Sequence, residues 1–354
     1  MPMNKLSHFM NNVWLSRRKF LSATGVLGLG LAASGMGRML PLRELDLFDS
    51  GLKRLSRSQL EMGTYVNVTV LSESEVQALE ATDRVFEEIS RLASVMNRFQ
   101  TDSPLGQLNS RGVLTDVPPE LIQVLKSALY YNRVSQGYFD VTVKPVVDLY
   151  RHCFLWMRGS PSEKDLRALR ELTGSHMISI SGKKVSYDRK GMGITLDGIA
   201  KGYIMDRAMS SLKGSGIQHA LIDAGGDIVA LGCRDGRHPW RVAIQDPRSP
   251  GSFLETLNLT DGAIATSGSY ETYFDREKLY HHLVSPKSCI PVNDNISVTV
   301  RAGSAMEADA IATAAFVMGP RHGTRWMNHI ARAEGLFVTG EDKRYFSRGW
   351  PDLA

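Results

Sequence analysis

Hydrophobic and polar residues alternate in the segment that follows Met62. Val66, Val68 and Val70 fall on one side of an extended chain, and the positions between them are mostly polar. A period of two residues is typical of a strand with one face buried in a core. The sequence therefore predicts a half-buried strand at this point.

Hydrophobic residues then recur at the helical spacing of three or four residues. Ser72 and Glu75 have the spacing of a capping box, which marks the start of a helix. Further helices are predicted over 119–135 and 307–318, and the Asn-, Ser- and Gly-rich segment 97–112 is predicted to be a loop. The first helix carries hydrophobic residues at Val76, Leu79, Val85, Ile89 and Leu92.

The second half of the chain contains strands in adjacent pairs. Residues 220–223 and 228–231 flank the glycine-containing turn 224–227, which indicates strand, tight turn and strand. Strands outnumber helices, which favours an α+β fold with antiparallel sheets over a doubly wound fold. Because no repeat or clear linker follows residue 60, we predict one compact unit over 61–354. Further strands are predicted over 240–245, 297–301 and 336–339.

The net charge is concentrated at one end. The 354 residues include 42 Lys and Arg against 37 Asp and Glu, a formal charge of +5 that at first suggests a nucleic acid or membrane partner. Removing the five basic residues of segment 1–40 leaves 37 basic against 37 acidic residues. We therefore do not expect a nucleic acid partner. The five are Lys5, Arg17, Arg18, Lys19 and Arg38.

Residues 1–40 have the organisation of an export signal. Arg17 and Arg18 precede an apolar run of about 13 residues and then small residues, which is typical of the twin-arginine type. The run is shorter than the roughly 20 residues that span a bilayer. A basic arm or a short anchor is the alternative. We predict export to the periplasm, with a linker over 41–60; an uncleaved signal would keep the protein at the inner membrane.

Two segments carry side chains suited to a phosphate group and a metal ion. Lys201 lies in the first turn of a helix predicted to open near residue 198, where free N–H groups and the helix dipole favour anions. Asp309 and Thr313 are four residues apart and share one helix face, and their oxygens suit Mg²⁺. Alternatively, Lys201 is solvated, Asp309 only favours the helix dipole and Thr313 is incidental. Spacing alone leaves both interpretations open.

His281 and His282 supply a candidate general base, because imidazole titrates near neutral pH. Neighbouring residues of a strand point to opposite faces, so at most one of the two faces a site and a two-histidine metal site is not expected. The glycine-containing segments 225–226 and 266–268 would let a ligand approach the backbone closely, although each could equally be an ordinary turn.

In chain order, these segments resemble the motifs of the ApbE family, the FAD:protein FMN transferases. The resemblance spans about Leu60 to Gly319, and several motifs occur in the family's order. They are Met62-Gly63-Thr64, the loop from Asp102 to Asn109, Gly137 to Pro145, Asp197-Gly198-Ile199-Ala200-Lys201-Gly202-Tyr203, Asp223 to Asp227, Thr266-Ser267-Gly268, His282 with Pro286, and Ala308 to Ala314.

The resemblance implies a T-fold-like α+β enzyme that binds FAD and Mg²⁺. Such an enzyme transfers FMN through its phosphate to a Thr or Ser hydroxyl of an acceptor protein and releases AMP. The family's acceptors carry an Asp-x-x-Ser/Thr-Gly-Ala-Thr type of motif, and a periplasmic electron-transfer protein is the expected partner. No dinucleotide fingerprint of the Gly-x-Gly-x-x-Gly kind follows a strand after the signal segment, so an FAD-dependent oxidoreductase is not favoured.

Matching positions then imply roles for individual residues. Asp309 and Thr313, with a backbone carbonyl near Gly198, match the magnesium ligands. Lys201 matches the lysine that faces the pyrophosphate, and His282 matches the catalytic histidine. The resemblance places the remaining matches in the FAD pocket, namely Met62, Phe99, Asn109, Asp140, Thr266, Ser267 and Gly268.

The segment after His282 departs from the family pattern at two positions. The family usually has Asp where this chain has Ser285, and Gly where it has Cys289. Loss of a carboxylate beside the histidine removes a group that could orient it or raise its basicity. A periplasmic FAD-binding or delivery protein with weak or lost transferase activity is therefore the alternative function. Cys153, Cys233 and Cys289 are too few and scattered for a disulfide framework or zinc site, and we interpret them as structural.

Overall fold

The computed structural model describes most of the chain after residue 50. The export signal predicted over 1–40, and residues 41–50 of the predicted linker, lie outside the described residues. Among the described helices, none is both long and apolar enough to cross a bilayer. The described ranges are 51–157, 159–249, 251–271, 273–275 and 280–351.

Eight helices of the α type and thirteen strands occur within these ranges. The helices are α1 Glu75–Met96, α2 Pro104–Arg111, α3 Pro119–Val134, α4 Lys144–His152, α5 Glu163–Arg170, α6 Ala200–Gly214, α7 Ala305–Met318 and α8 Pro320–Met327. The strands are β1 Lys53–Glu61, β2 Thr64–Ser72, β3 Val113–Leu114, β4 Ile178–Ser181, β5 Lys184–Tyr187, β6 His219–Ala224, β7 Asp227–Leu231, β8 Trp240–Gln245, β9 Phe253–Leu259, β10 Gly262–Gly268, β11 Ser297–Ala302, β12 Glu334–Val338 and β13 Arg344–Phe346.

The main sheet has eight strands in the order β1-β2-β6-β7-β10-β11-β12-β13, and every neighbouring pair is antiparallel. Helix α1 packs on β1, β2 and α6, while α7 packs on β10, β11 and α6. The predicted α+β fold rich in antiparallel sheet is therefore confirmed. Strands β3, β5 and β4 form a second sheet, and β8 pairs with β9.

The predicted periodicities correspond to the buried faces. Val66, Val68 and Val70 of β2 are completely buried, as the alternating pattern requires. In α1, the side chains from Ala78 to Met96 that recur at helical spacing are buried, whereas Val76 is exposed. The side chain that caps α1 is Ser74 rather than Ser72, and it accepts a hydrogen bond from the Gln77 N–H.

Two segments that the sequence analysis assigns to a linker and to a loop form regular structure. Residues 53–60, placed in a linker, form most of β1, which pairs with β2 along its whole length. Its side chains are mostly polar because β1 is an edge strand held by backbone hydrogen bonds. Within the predicted loop 97–112, Ser103 caps α2 and Pro104 occupies its first turn. Capping compensates for the weak helix formers of α2.

None of the three cysteines, all of which lie in the described ranges, forms a disulfide. Cys153 and Cys289 are buried, and burial raises the pKa of each thiol above its usual value. A raised pKa reduces the thiolate fraction, which is the reactive form. These two cysteines therefore have the structural character that the sequence analysis gives them.

Candidate active site

A pocket at one end of the main sheet gathers most of the predicted site residues. It lies where β7 begins, where α6 begins and where the second turn of α7 passes. Predicted residues in its lining are Asp140, Gly198, Lys201, Thr266, Ser267, His282, Asp309 and Thr313. The lining also includes Tyr138, Thr195, Asp197 and Asp227, to which the sequence analysis gives no role.

Helices α6 and α7 are fixed against each other by reciprocal capping. The Gly202 N–H at the start of α6 donates to Asp309 of α7, with N and Oδ2 3.1 Å apart. In the other direction, Asp206 of α6 accepts from the N–H groups of Ala305 and Met306 at the start of α7, at 2.8 and 2.9 Å. Each carboxylate satisfies donors that a helix start leaves without an intrahelical partner.

The helices approach so closely because Gly202 has no side chain. A Cβ atom at Gly202 would lie 2.3 Å from the Ala305 carbonyl oxygen, which no side chain can occupy. The close crossing brings the first turn of α6, which contains Lys201, alongside Asp309. The relative position of these two side chains is thus a consequence of helix packing.

Asp309 and Thr313 both line the pocket from one face of α7, as their spacing predicts. A Cβ atom at Gly198 would lie 2.6 Å from the Thr313 hydroxyl oxygen, so the Gly198 backbone touches this side chain. The Ser267 hydroxyl lies 3.3 Å from the same oxygen. One carboxylate, two hydroxyls and a backbone segment therefore line the same pocket.

Lys201 forms an ion pair with Asp227, and its Nζ lies 2.8 Å from Oδ2. The Asp227 side chain is only 3% exposed, and its other oxygen accepts from the Thr266 N–H at 3.0 Å. Asp227 follows the turn at Gly225 and Gly226. Their φ angles of 66° and 98° lie in the left-handed region, which favours glycine at both positions. The turn thus places a buried carboxylate where it orients the lysine.

The two histidines separate as the sequence analysis predicts. His281 is fully buried; its Nδ1 accepts from the Leu283 N–H, so Nε2 carries the proton and donates to the Val292 carbonyl. Burial, with the nearby His282, lowers its pKa from 6.5 to about 4. His282 lines the pocket instead. His281 therefore anchors the segment, while His282 is the histidine that lines the pocket.

The segment after His282 turns back on itself between Ser285 and Ile290. The Ser285 hydroxyl accepts from the Ser288 N–H at 3.3 Å, and the Cys289 N–H donates to the Ser285 carbonyl at 2.8 Å. Cys289 has φ of 60°, in the left-handed region that favours glycine. This backbone conformation explains why the resemblance expects a glycine at this position.

Asp140 lines the pocket, but its carboxylate is occupied by neighbouring donors. One oxygen accepts from the N–H and hydroxyl of Thr142 and from the Ser175 hydroxyl, at 2.8, 2.5 and 2.7 Å. The other accepts from Asn132 Nδ2 and the Ser175 N–H, both at 3.0 Å. This pattern indicates that Asp140 organises the wall of the pocket.

The other four predicted FAD-pocket residues lie outside the lining. The Asn109 amide pairs with the Ile194 backbone, at 2.9 Å to the carbonyl and 2.7 Å from the N–H. Phe99 is half-exposed, with the Arg98 guanidinium 4.4 Å from its ring centre. Met62 forms the β1–β2 turn at φ of 50°, and Gly268 ends β10 against the Tyr270 ring.

Sequence reasoning misses Asp227 and Asp197 as functional candidates. Each lies within one of the family-like motifs and next to a glycine, Asp197 before Gly198 and Asp227 after Gly226. An acidic residue directly after a Gly-Gly turn, at the start of a strand, is the signal that points to Asp227. The sequence alone does not show that Asp227 is buried against Lys201.

The oxygen ligands around Asp309 suit a magnesium ion. Among the described residues, no three His, Cys, Asp or Glu side chains form a metal cluster. Mg²⁺ does not need such a cluster, because it is usually held by one or two carboxylates together with waters and substrate phosphates. Asp309, the Thr313 hydroxyl and the Gly198 backbone fit that description.

Known proteins are similar to this chain in sequence and share its architecture. A sequence model of the ApbE family matches residues 62–337. The chain belongs to the ApbE family. A relative from Vibrio cholerae named FAD:protein FMN transferase is 32% identical over 278 residues, which cover 74% of this chain and 80% of the relative. A protein of the same name from Treponema pallidum is 28% identical over 332 residues, covering 85% of this chain and 89% of the relative.

Solved structures of ApbE-family proteins have the same fold. The ApbE protein from Thermotoga maritima superposes with a TM-score of 0.77 at 27% identity, covering 83% of this chain and 97% of that protein. The flavin transferase ApbE from Vibrio cholerae superposes with a TM-score of 0.71 at 28% identity, covering 84% of this chain and 98% of that one. The family and the transferase class predicted from the sequence are confirmed by these matches.

Proposed function

We propose that this ApbE-family chain transfers FMN from FAD to a Thr or Ser hydroxyl of an acceptor protein and releases AMP. The observation that carries the proposal is the convergence of Lys201, Asp309, Thr313 and His282 on one pocket. The relatives named FAD:protein FMN transferase support the same reaction. The acceptor hydroxyl forms a new P–O bond to the FMN phosphorus, the P–O bond to AMP breaks, and AMP leaves with the pyrophosphate's bridging oxygen.

This chemistry needs positioning and charge neutralisation more than covalent participation by the protein. The pyrophosphate would lie at the start of α6, where the helix dipole and Lys201 both favour an anion. Lys201 is already oriented by the buried Asp227, so little side-chain ordering remains for substrate binding. The site is therefore preorganised on the phosphate side.

A magnesium ion would be held by Asp309, Thr313 and the Gly198 backbone. When bound, it supplies positive charge that stabilises the phosphate oxygens as negative charge develops on them. Asp309 keeps the Gly202 N–H as a hydrogen-bond donor, which fixes the direction of its carboxylate. A ligand whose orientation is set in advance needs no rearrangement at the moment of reaction.

His282 is the candidate base that removes the proton from the acceptor hydroxyl. It lines the pocket, and the buried His281 holds its segment in place. Ser285 offers no carboxylate to this histidine, and its hydroxyl is engaged by the Ser288 N–H. This observation motivates the second candidate function, a protein that binds or delivers FAD with weak or lost transfer.

The acceptor and the compartment belong to the same proposal. We expect an acceptor with the Asp-x-x-Ser/Thr-Gly-Ala-Thr type of motif, such as a periplasmic electron-transfer protein. Export rests on Arg17 and Arg18 ahead of the apolar run. Fractionation of cells that express the full chain, with both arginines changed to lysine as the control, tests this route: equal periplasmic amounts of both forms would contradict it.

The decisive experiment is a flavinylation assay with FAD, Mg²⁺ and an acceptor domain that carries the motif. We expect AMP release and a fluorescent acceptor band, both dependent on Mg²⁺. FAD that binds without being transferred would reject the transferase and favour the delivery protein.

Ser285→Asp separates the two functions further. A large gain in transfer rate in this variant would indicate a weakened enzyme. An active wild-type protein that gains nothing from the carboxylate would reject the binding-only function.

A further inference from the structure

Arg98 is buried and links its own segment to two others that are distant in sequence. It follows the end of α1, and its side chain is only 5% exposed. Its Nη1 lies 2.9 Å from Asp148 Oδ1 of α4, and its Nε lies 3.2 Å from Asp197 Oδ2, just before α6. Arginine is rarely buried unless its charge is compensated. Here two carboxylates from different elements compensate it.

The Asp148 side of this bridge is firmly held. Lys144 also binds Asp148, with Nζ and Oδ2 2.6 Å apart. Burial acts to raise the pKa of Asp148, but its hydrogen bond to Lys144 and the positive charges of Lys144 and Arg98 outweigh burial and lower that pKa. Asp148 therefore stays ionised and fixes the guanidinium to α4.

Asp197, the second carboxylate partner of Arg98, is part of the candidate active site. Asp197 and Gly198 both line the pocket, and Gly198 touches Thr313. The N-cap of α6 is Ile199, which supplies no side-chain hydrogen bond, so the side-chain cap of this helix comes from Asp309 and acts at Gly202, three residues further along. The N-cap residue itself therefore adds no side-chain restraint to the loop 197–199. The Asp197–Arg98 pair provides a restraint from outside the helix.

The contact between Arg98 and Asp197 is a charge pair without a hydrogen bond. The Arg98 Nε–H is buried and has no acceptor in hydrogen-bond geometry within the described chain, although Asp197 Oδ2 lies 3.2 Å away. The same guanidinium stacks over Phe99, 4.4 Å from the ring centre, which limits its own movement. A rigid cation thus faces a carboxylate that is half-exposed to the pocket.

We propose that Arg98 is a positioning residue that holds the loop 197–199, and so the start of α6, in the geometry that receives the pyrophosphate. It also neutralises Asp197, a carboxylate that would otherwise repel that anion. The second part of this proposal rests on the proposed function, because it assumes that FAD is the ligand. The first part concerns the protein without ligand and can be tested independently.

The test compares Arg98→Met with Arg91→Met. Arg91 is a matched control, because it also bridges two carboxylates, Glu88 and Glu120, at 2.8 Å each, but lies on α1 outside the pocket lining. In the ligand-free proteins, we expect backbone amide exchange of residues 195–202 to become about tenfold faster in Arg98→Met, which is about 1.4 kcal/mol of opening free energy. Arg91→Met should leave exchange in 195–202 at the wild-type rate.

A second measurement follows FAD binding by flavin fluorescence in the presence of Mg²⁺ and without acceptor. Arg98→Met should bind FAD about tenfold more weakly than wild type. Arg98→Lys, which keeps the charge but not the two-pronged geometry, should recover part of the loss. Adding Asp197→Asn to Arg98→Met should also recover affinity, because it removes the uncompensated carboxylate, but it should not restore slow exchange.

The outcomes separate the inference from the proposed function. Unchanged exchange of residues 195–202 in Arg98→Met overturns the positioning role, whatever happens to FAD. Exchange that rises equally over the whole molecule, with a lower melting temperature and unchanged FAD affinity, would show that Arg98 is merely structural. A wild-type protein that does not bind FAD rejects the proposed function, while the exchange comparison still decides the role of Arg98.

Discussion

Two parts of the pocket lining, a helix side formed by α6 and α7 and a histidine side formed by residues 280–291, are built in different ways. On one side, α6 and α7 cross at Gly202, and each helix start is capped by a carboxylate from the other helix. On the histidine side, which brings His282 to the pocket, the described residues 280–291 form isolated bridges and turn hydrogen bonds but no strand of the sheet. The helix side therefore depends on the crossing of two helices, whereas the histidine side is held by a turn and by side-chain contacts, such as Arg170 with the Ser288 carbonyl and His281 with the Phe316 ring.

This difference bears on Ser285 and Cys289, the two positions at which the resemblance expects other residues. A side chain at Gly202 would collide with backbone, so the crossing tolerates no change there. The turn after His282 is defined by backbone hydrogen bonds from the Cys289 N–H to the Ser285 carbonyl and from the Ser285 N–H to the Ile290 carbonyl, which do not use the side chains of Ser285 and Cys289. The turn can therefore form without the carboxylate and the glycine that the resemblance expects at these two positions.

The largest expected effect lies on the helix side. Asp309→Ala should abolish magnesium-dependent transfer, and it also leaves the Gly202 N–H without its acceptor. Asp309→Asn keeps an oxygen for that N–H but removes the carboxylate charge. We therefore expect the Asp309→Asn variant to keep the wild-type melting temperature and still lose at least about a hundredfold in transfer rate. The measurement is AMP release against Mg²⁺ concentration. Near-normal turnover in Asp309→Asn would show that the charge of Asp309 is not needed.

The next effect concerns the stability of the histidine side. The pKa of His281 is lowered in the folded state, so between pH 6.5 and about 4 the unfolded chain binds a proton that the folded chain does not. The free energy of unfolding should therefore be highest above pH 6.5 and fall as the pH drops, by roughly 3 kcal/mol from this group. Urea unfolding of wild type and His281→Gln at pH 7 and pH 4.5 measures the difference. Parallel losses in both proteins would contradict the assignment.

The smallest effect tests the left-handed residue in the same segment. Cys289→Ala removes the buried sulfur and keeps the backbone strain, whereas Cys289→Gly removes both. The free energy of unfolding of Cys289→Gly should therefore exceed that of Cys289→Ala by about 1 kcal/mol. At a position with ordinary backbone angles, the alanine variant would be the more stable one. Thermal unfolding of the two variants gives the comparison. If Ala proves the more stable variant, backbone strain does not explain the family's glycine.

Much of the fold follows from short-range patterns. The strand at 64–72, the hairpin around Gly225 and Gly226, and the helix ending at Met318 lie within a few residues of their predicted positions. Strand β1 is missed because an edge strand held by backbone hydrogen bonds needs no hydrophobic pattern. Helix α2 is missed because its cap, rather than its composition, starts it.

The sequence by itself determined which chemical groups this protein has and which of them share a helix face or a turn, because those relations depend on residues a few positions apart. Only the tertiary structure decided that Asp227 orients Lys201, that Asn109 pairs with backbone and that Arg98 joins α4 to the loop before α6. These contacts link residues 26 to about 100 positions apart, and packing of the whole domain brings them together.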